Sequence, residues 1–162
     1  MKTIYILRHA KSSRDNPNLA DFERPLNKRG LKAAPFIGGI IYKNKFQPDS
    51  MLSSPAKRAK QTAVLVKSAG KIEVEIRFDE RIYEASPQQL LQVIYELEAG
   101  SESAMLIGHN PGLEGLIKFL TGEYRAMPTA ALAVIDLKIK NWEATIAECG
   151  SLRTFIRPDE EK

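Results

Sequence analysis

The stretch TIYILRHAKSS, Thr3 to Ser13, decides how the rest of the chain is read. Thr3 to Leu7 has the look of a short buried strand, and it runs without a spacer into Arg8-His9, then Lys11 and two serines. A strand that ends on charged and titratable groups delivers them to its carboxyl edge, which is where open α/β sheets bind ligands.

The elements that follow suit such a sheet. Asn27 is placed to cap a helix running to about Asn44, with Leu31, Ala34, Ile37 and Ile41 near one face. Pro35 either bends that helix or sits early in its main part, and Gly38-Gly39 weakens it or admits a close neighbour. Asp49 to Ser53 predicts a second strand. Ser54-Pro55 then opens a helix, serine as cap and proline at the first position, that Gly70 stops. Lys71 to Phe78 alternates Ile72, Val74, Ile76 and Phe78, the clearest period-two segment. Ser86-Pro87-Gln88-Gln89 is a capping box leading into Leu90, Ile94 and Leu97. Ser103 to Ile107 predicts a strand, Gly112 to Thr121 a helix closed by Gly122, and Ala131 to Lys138 and Thr145 to Cys149 two late strands. The alternation predicts an α/β fold, a three-layer α/β/α sandwich around a largely parallel central sheet. One domain over 1–157 accounts for it, with 158–162 as a frayed tail.

Composition narrows the function. A chain of 162 residues, 43% apolar and 27% charged, can bury a core as one soluble domain. No apolar run approaches 18 residues, so no membrane span is expected, and the N-terminus lacks the pattern of a signal peptide. Cys149 is the only cysteine, which rules out an internal disulfide and suggests a reducing, cytoplasmic setting. The net charge of +4 suits phosphate-bearing partners. Nucleic acid is disfavoured because the lysines are scattered and no aromatic residues interleave with them.

Three predicted strand ends carry the chemistry. The first ends in Arg8-His9, the second in Ser53-Ser54-Pro55 with Arg58 in the following helix, and another in Gly108-His109-Asn110-Pro111-Gly112. His9 and His109 are the only histidines. In a parallel arrangement His9, Arg58 and His109 meet in one crevice. Two arginines grip phosphoryl oxygens with paired donors, and helix N-termini near Pro55 and Gly112 add backbone N–H groups. Neighbouring cations lower a histidine pKa and keep the imidazole nucleophilic. That combination fits phosphoryl transfer through a phosphohistidine.

LRHAKSS, SSPAKRAKQTA and IGHNPG together resemble the histidine phosphatase superfamily, with its phosphoglycerate mutase-like fold. DFERPLNKRG and the short length resemble its SixA-type phosphohistidine phosphatases. The resemblance spans Ile4 to about Ala133. It implies His9 as nucleophile, Arg8 and Arg58 as phosphoryl clamps, His109 as the second histidine at the phosphoryl oxygens, and neither metal nor organic cofactor. It places Arg24 in a secondary substrate role, with Asp21 orienting its loop, and Lys11, Ser12 and Asn110 at the substrate. Glu84 is the positional match for the general acid of many relatives. Ala10 replaces the glycine of the usual R-H-G motif, so an ordinary backbone conformation is expected there. The implied substrate is a phosphorylated protein carrying phosphohistidine. A phosphomonoesterase or mutase of the same superfamily acting on a small phosphorylated metabolite, and a phosphate-binding module without catalysis, are the alternatives.

Plainer readings compete residue by residue. A lone histidine is usually packed or exposed, and Arg58 alone would pass for a surface helix arginine. Lys28-Arg29 and Lys57 to Lys60 read as solvated faces, Asp79 to Arg81 as a charge cluster, and Tyr83 and Trp142 as packing residues. A metal between the histidines is disfavoured by the cationic neighbours.

Overall fold

The computed structural model describes residues 1–158 of the 162, so the tail expected at 158–162 falls outside the described residues except for Pro158. In chain order the elements are β1 (Lys2–Arg8), α1 (Lys28–Lys43), β2 (Ser50–Ser53), α2 (Lys57–Gly70), β3 (Ile76–Phe78), α3 (Pro87–Tyr95), β4 (Ser103–Gly108), α4 (Gly112–Thr121), β5 (Leu132–Leu137) and β6 (Gly150–Ile156). The strands form one sheet in the order β3-β2-β4-β1-β5-β6. The first four strands pair in parallel, while on the far side of β1 the strand β5 pairs antiparallel to β1 and β6 antiparallel to β5.

Period-two alternation along β1 divides the core. Ile4 and Ile6 face α3 and α4, packing with Leu90, Ile94, Leu116 and Leu120. Tyr5 and Leu7 face α1 and α2, packing with Ile37, Ile41, Ala63 and Val66. Both faces are covered, which gives the three layers. Ile4, Ile6 and Leu7 are fully buried, and truncating any of them to alanine should cost about 2–5 kcal/mol.

Parallel pairing brings three strand ends to one edge. Arg8 lies opposite Gly108, and Ser53 opposite Ile107. The ladders continue one step into the loops, because the His9 N–H donates to the Gly108 carbonyl and the Ser54 N–H to that of Ile107.

Several local expectations change. α1 runs unbroken through Pro35. The bond that Pro35 cannot donate would reach the Leu31 carbonyl, and Leu31, expected on the core face, is 49% exposed, where water can serve that carbonyl. Gly38 admits a close neighbour: a Cβ there would lie 2.7 Å from the Ala69 Cβ and 2.9 Å from the Val66 carbonyl oxygen. α2 starts at Lys57, since Ser54 turns its hydroxyl elsewhere, and Lys71 rather than Gly70 takes the left-handed terminal position at φ 50°. Of the alternating segment 71–78 only Ile76–Phe78 is strand. The Ile72 and Val74 carbonyls are taken at 2.7 Å by Lys67 Nζ. No strand forms at 145–149: Glu148 has φ 57° and its N–H donates to the Phe119 carbonyl, so β6 begins at Gly150. The capping box at Ser86–Gln89 and the helix Gly112–Thr121 closed by Gly122 are as expected.

Candidate active site

The loop after β1 fixes the nucleophile candidate. Ala10 is buried, lies outside the positive-φ positions, and donates its N–H to Thr62 Oγ1 on α2. Its carbonyl, 2.7 Å from His9 Nδ1, can only accept. The neutral ring therefore carries its proton on Nδ1 and keeps a lone pair on Nε2. The Lys11 carbonyl, one residue on, is crowded by α1; a Cβ at Gly30 would come within 2.1 Å of it, so only glycine fits at that turn of the helix.

His109, after β4, packs 5.0 Å from His9 between ring centroids. Its Nε2 is 2.7 Å from Ser54 Oγ, which also accepts from the Ala56 N–H. The serine hydrogen can turn to Nε2, and in that tautomer the His109 proton sits on Nδ1, an atom with no partner. This is the use to which Ser54, expected only as a helix cap, is put.

Two guanidiniums complete the pocket. Arg58, buried on the first turn of α2, donates Nη1 to the Asp21 carbonyl and Nη2 to Asp21 Oδ2. Arg8 donates Nη1 to the Met127 carbonyl. The Nε of each is buried and unpartnered. Among the described residues, the buried side-chain polar atoms without a partner are Arg8 Nε, Arg58 Nε, His109 Nδ1 and Asn110 Oδ1, all on residues of this one pocket. Such atoms are costly unless a ligand or water supplies partners. The two guanidinium Nε groups are donors, joined by His109 Nδ1 in the tautomer where Ser54 donates to Nε2, and such a set is the complement of an oxyanion.

The pocket, about 270 Å³, brings together Arg8, His9, Arg58 and His109 with Lys11, Ser12, Arg24 and Asn110. Arg24 donates to Ser12 Oγ at 2.7 Å and pairs with Asp21. Asn110 Nδ2 donates to Glu114 Oε2 and to the Met127 carbonyl. Glu84 lines the adjoining cavity with Ala85, Ser86 and Gln89, sharing only the His109 and Asn110 wall with the histidine–arginine pocket. Arg14, Thr129 and Asp21 also line the pocket. Arg14 and Thr129 lie in loops with no periodicity to mark them. Tyr83 does pack, edge-on against Phe22 and His109, and its hydroxyl also donates to Asp21 Oδ2 at 2.6 Å.

The electrostatics favour neutral imidazoles. Burial, reinforced by His109, Arg58 and Arg8, lowers His9 to about 3 against the Ala10 hydrogen bond that opposes it. Burial and then Arg58 lower His109 to about 4. Hydrogen bonds from Tyr83, Arg58 and Arg24 hold Asp21 well below the usual carboxylate range, so it is ionised. Among the described residues no three His, Cys, Asp or Glu side chains cluster to hold a metal ion. No described helix is long and apolar enough to cross a membrane.

The family model for the histidine phosphatase superfamily (branch 1) matches residues 4–104. The chain belongs to that superfamily. It is 31% identical over 142 residues to an uncharacterized protein of Mycobacterium tuberculosis, covering 88% of this chain and 77% of that one. A crystal structure from Agrobacterium tumefaciens, whose assignment as the phosphohistidine phosphatase SixA is itself provisional, matches with a TM-score of 0.84 and 30% identity over 97% of this chain and 98% of that one. The fold of the protein histidine phosphatase SixA complexed with tungstate matches with a TM-score of 0.81 at 23% identity, over 99% of both chains. The structure is of the SixA type, and together these findings support a phosphatase.

Proposed function

We propose that this superfamily member removes the phosphoryl group from phosphohistidine on a partner protein, without a metal, through a phospho-His9 intermediate. The observation that carries the reading is the convergence of unpartnered Arg8, Arg58 and His109 donors on the pocket where His9 keeps its Nε2 lone pair. Nε2 attacks phosphorus in line, and the P–N bond to the substrate imidazole breaks with its electron pair going to that nitrogen. The departing ring, protonated on its other nitrogen, leaves neutral. Arg8, Arg58 and the His109 Nδ1–H meet the charge spread over the equatorial oxygens. Water then forms the new P–O bond, the P–Nε2 bond breaks, and phosphate leaves.

Two features favour phosphohistidine over a metabolite ester. An imidazole leaving group needs little help from an acid, which agrees with a Glu84 that lines the adjoining cavity. The connections after β2 and β4 are only three residues each, and among the described residues the longest connection at the pocket, 9–27, lines it with Ser12, Arg14, Asp21 and Arg24. The site's donors are cationic, which opposes a metal ion at the same place.

The test is phosphate release from a phosphohistidine-bearing protein in EDTA, comparing the parent with His9→Ala. Release by the parent alone is expected. Cleavage of an aryl phosphate but not of phosphohistidine would move the substrate to a small metabolite. Turnover of neither, with phosphoprotein binding that survives His9→Ala, would make the site a binding module.

A further inference from the structure

A second groove, about 450 Å³, adjoins the phosphoryl pocket and shares Lys11 and Thr129 with it. Its rim is cationic: Lys11, Arg29 and Lys32 line it, all three exposed and none with an ion-pair partner among the described residues. Its floor is apolar, made by Phe36 with Ala33, Pro128 and Pro158. The residues contributed by α1 fall at 29, 32, 33 and 36, the i, i+3, i+4, i+7 pattern of one helix face. That face is separate from the Ala34, Ile37 and Ile41 face, which the core consumes. Arg29 and Lys32 are like charges three apart, an arrangement that weakens a helix unless something neutralises it.

We propose that this groove recognises an acidic stretch flanking the phosphorylated side chain of the protein substrate, so that the phosphoryl group and its neighbouring carboxylates are read together. The proposal rests on the phosphoprotein reading above and deepens it. Three cations without an ion-pair partner among the described residues select negative charge, and the strip of Phe36 and prolines accepts an apolar side chain beside it. A polypeptide supplies both in alternation. A compact sugar phosphate leaves the apolar floor unfilled. Continuity through Lys11 and Thr129 means that one chain segment can occupy both cavities.

The experiment uses two sets of short peptides, one phosphorylated on histidine and one on tyrosine as a generic aryl phosphate, each with acidic, neutral or basic flanks. kcat and KM are measured at low and high salt on the parent and on the Arg29→Glu/Lys32→Glu double variant, whose folding is checked by circular dichroism. Binding to His9→Ala by fluorescence anisotropy gives the same comparison without turnover. Acidic flanks are expected to lower KM by about tenfold relative to neutral ones, with the gain shrinking at high salt as exposed charges are screened. In the double variant the acidic peptides should lose that advantage. Equal kcat/KM and equal binding for all flanks would overturn the groove proposal whether or not phosphohistidine is cleaved. An acidic preference seen on phosphotyrosine with phosphohistidine untouched would keep the groove and overturn the phosphohistidine reading. A double variant impaired equally on acidic and neutral peptides would assign Arg29 and Lys32 a structural role and also overturn the groove.

Discussion

Arg8 and Glu114 hold opposite ends of one residue. The Met127 carbonyl accepts from Arg8 Nη1 at 2.9 Å, and the Met127 N–H donates to Glu114 Oε2 at 2.7 Å. The same Glu114 oxygen accepts from Asn110 Nδ2, and Tyr124 donates to Glu114 Oε1. Glu114 on α4 is therefore a positioning residue for Arg8. Glu114→Ala is expected to lower kcat/KM by roughly tenfold to a hundredfold, in line with a displaced transition-state donor. Glu114→Gln, which keeps one acceptor, should restore most of it. Equal losses in both variants, matched by equal falls in Tm, would point to a general defect of α4 instead.

The two histidines shift stability with pH in the same direction. With His9 at about 3 and His109 at about 4, both rings stay neutral well below the ordinary 6.5. The unfolded chain takes up protons near 6.5 that the folded chain refuses, so stability falls as pH drops through 6.5 and levels off only near the folded values. Imidazole NMR of the phosphate-free protein should show no titration between about pH 8 and 5, while Tm declines over the lower part of that range. A ring titrating near 6.5 would show its burial to be transient. Bound phosphate should raise the His109 value, because the anion stabilises the imidazolium.

Asp21 places a carboxylate at the edge of an anion pocket. It restrains Arg58 and Arg24 and opposes the ligand's charge at the same time. Asp21→Asn is expected to bind inorganic phosphate more tightly while kcat falls several-fold, because the clamp is less fixed. Phosphate inhibition constants measured beside kcat would show it. Weaker phosphate binding together with a lower kcat would mean that Asp21 acts only through loop structure. Tyr83→Phe leaves the carboxylate in place and should give the smaller effect.

Glu84 lines the cavity next to the phosphoryl pocket. Glu84→Gln should leave phosphohistidine hydrolysis within a few-fold of the parent and reduce alkyl phosphate hydrolysis by about tenfold or more, the share expected of a proton donor to a poor leaving group. A matching loss on both substrates would make it an acid for both reactions.

Much of this architecture was legible in the chain. The strand ending on Arg8-His9, the capping box at Ser86 and the helix closed by Gly122 depend on local rules, and the structure has them at or within a residue of those positions. Local rules failed where a distant group took over a backbone partner. Lys67 claims the carbonyls that would have extended β3, and Phe119 claims the Glu148 N–H before β6 can start. The site divides in the same way. The histidines and arginines announce themselves by type and place, whereas Ser54, Tyr83 and Glu114 act through partners 55, 62 and 13 residues away. The chain's periodicity carries no trace of those distances.

The His9 hydrogen bond to its own neighbour's carbonyl has a consequence for how such a site survives mutation. In a catalytic triad the imidazole is oriented by a side chain, and one codon change can erase that partner. Here the orienting group is a peptide oxygen that every amino acid at position 10 would carry. Drift at that position threatens the proposed nucleophile only by bending the chain, through bulk pressed into the buried Ala10 site or loss of the Thr62 hydroxyl that holds it. The proton's place on the ring is inherited from the path of the backbone.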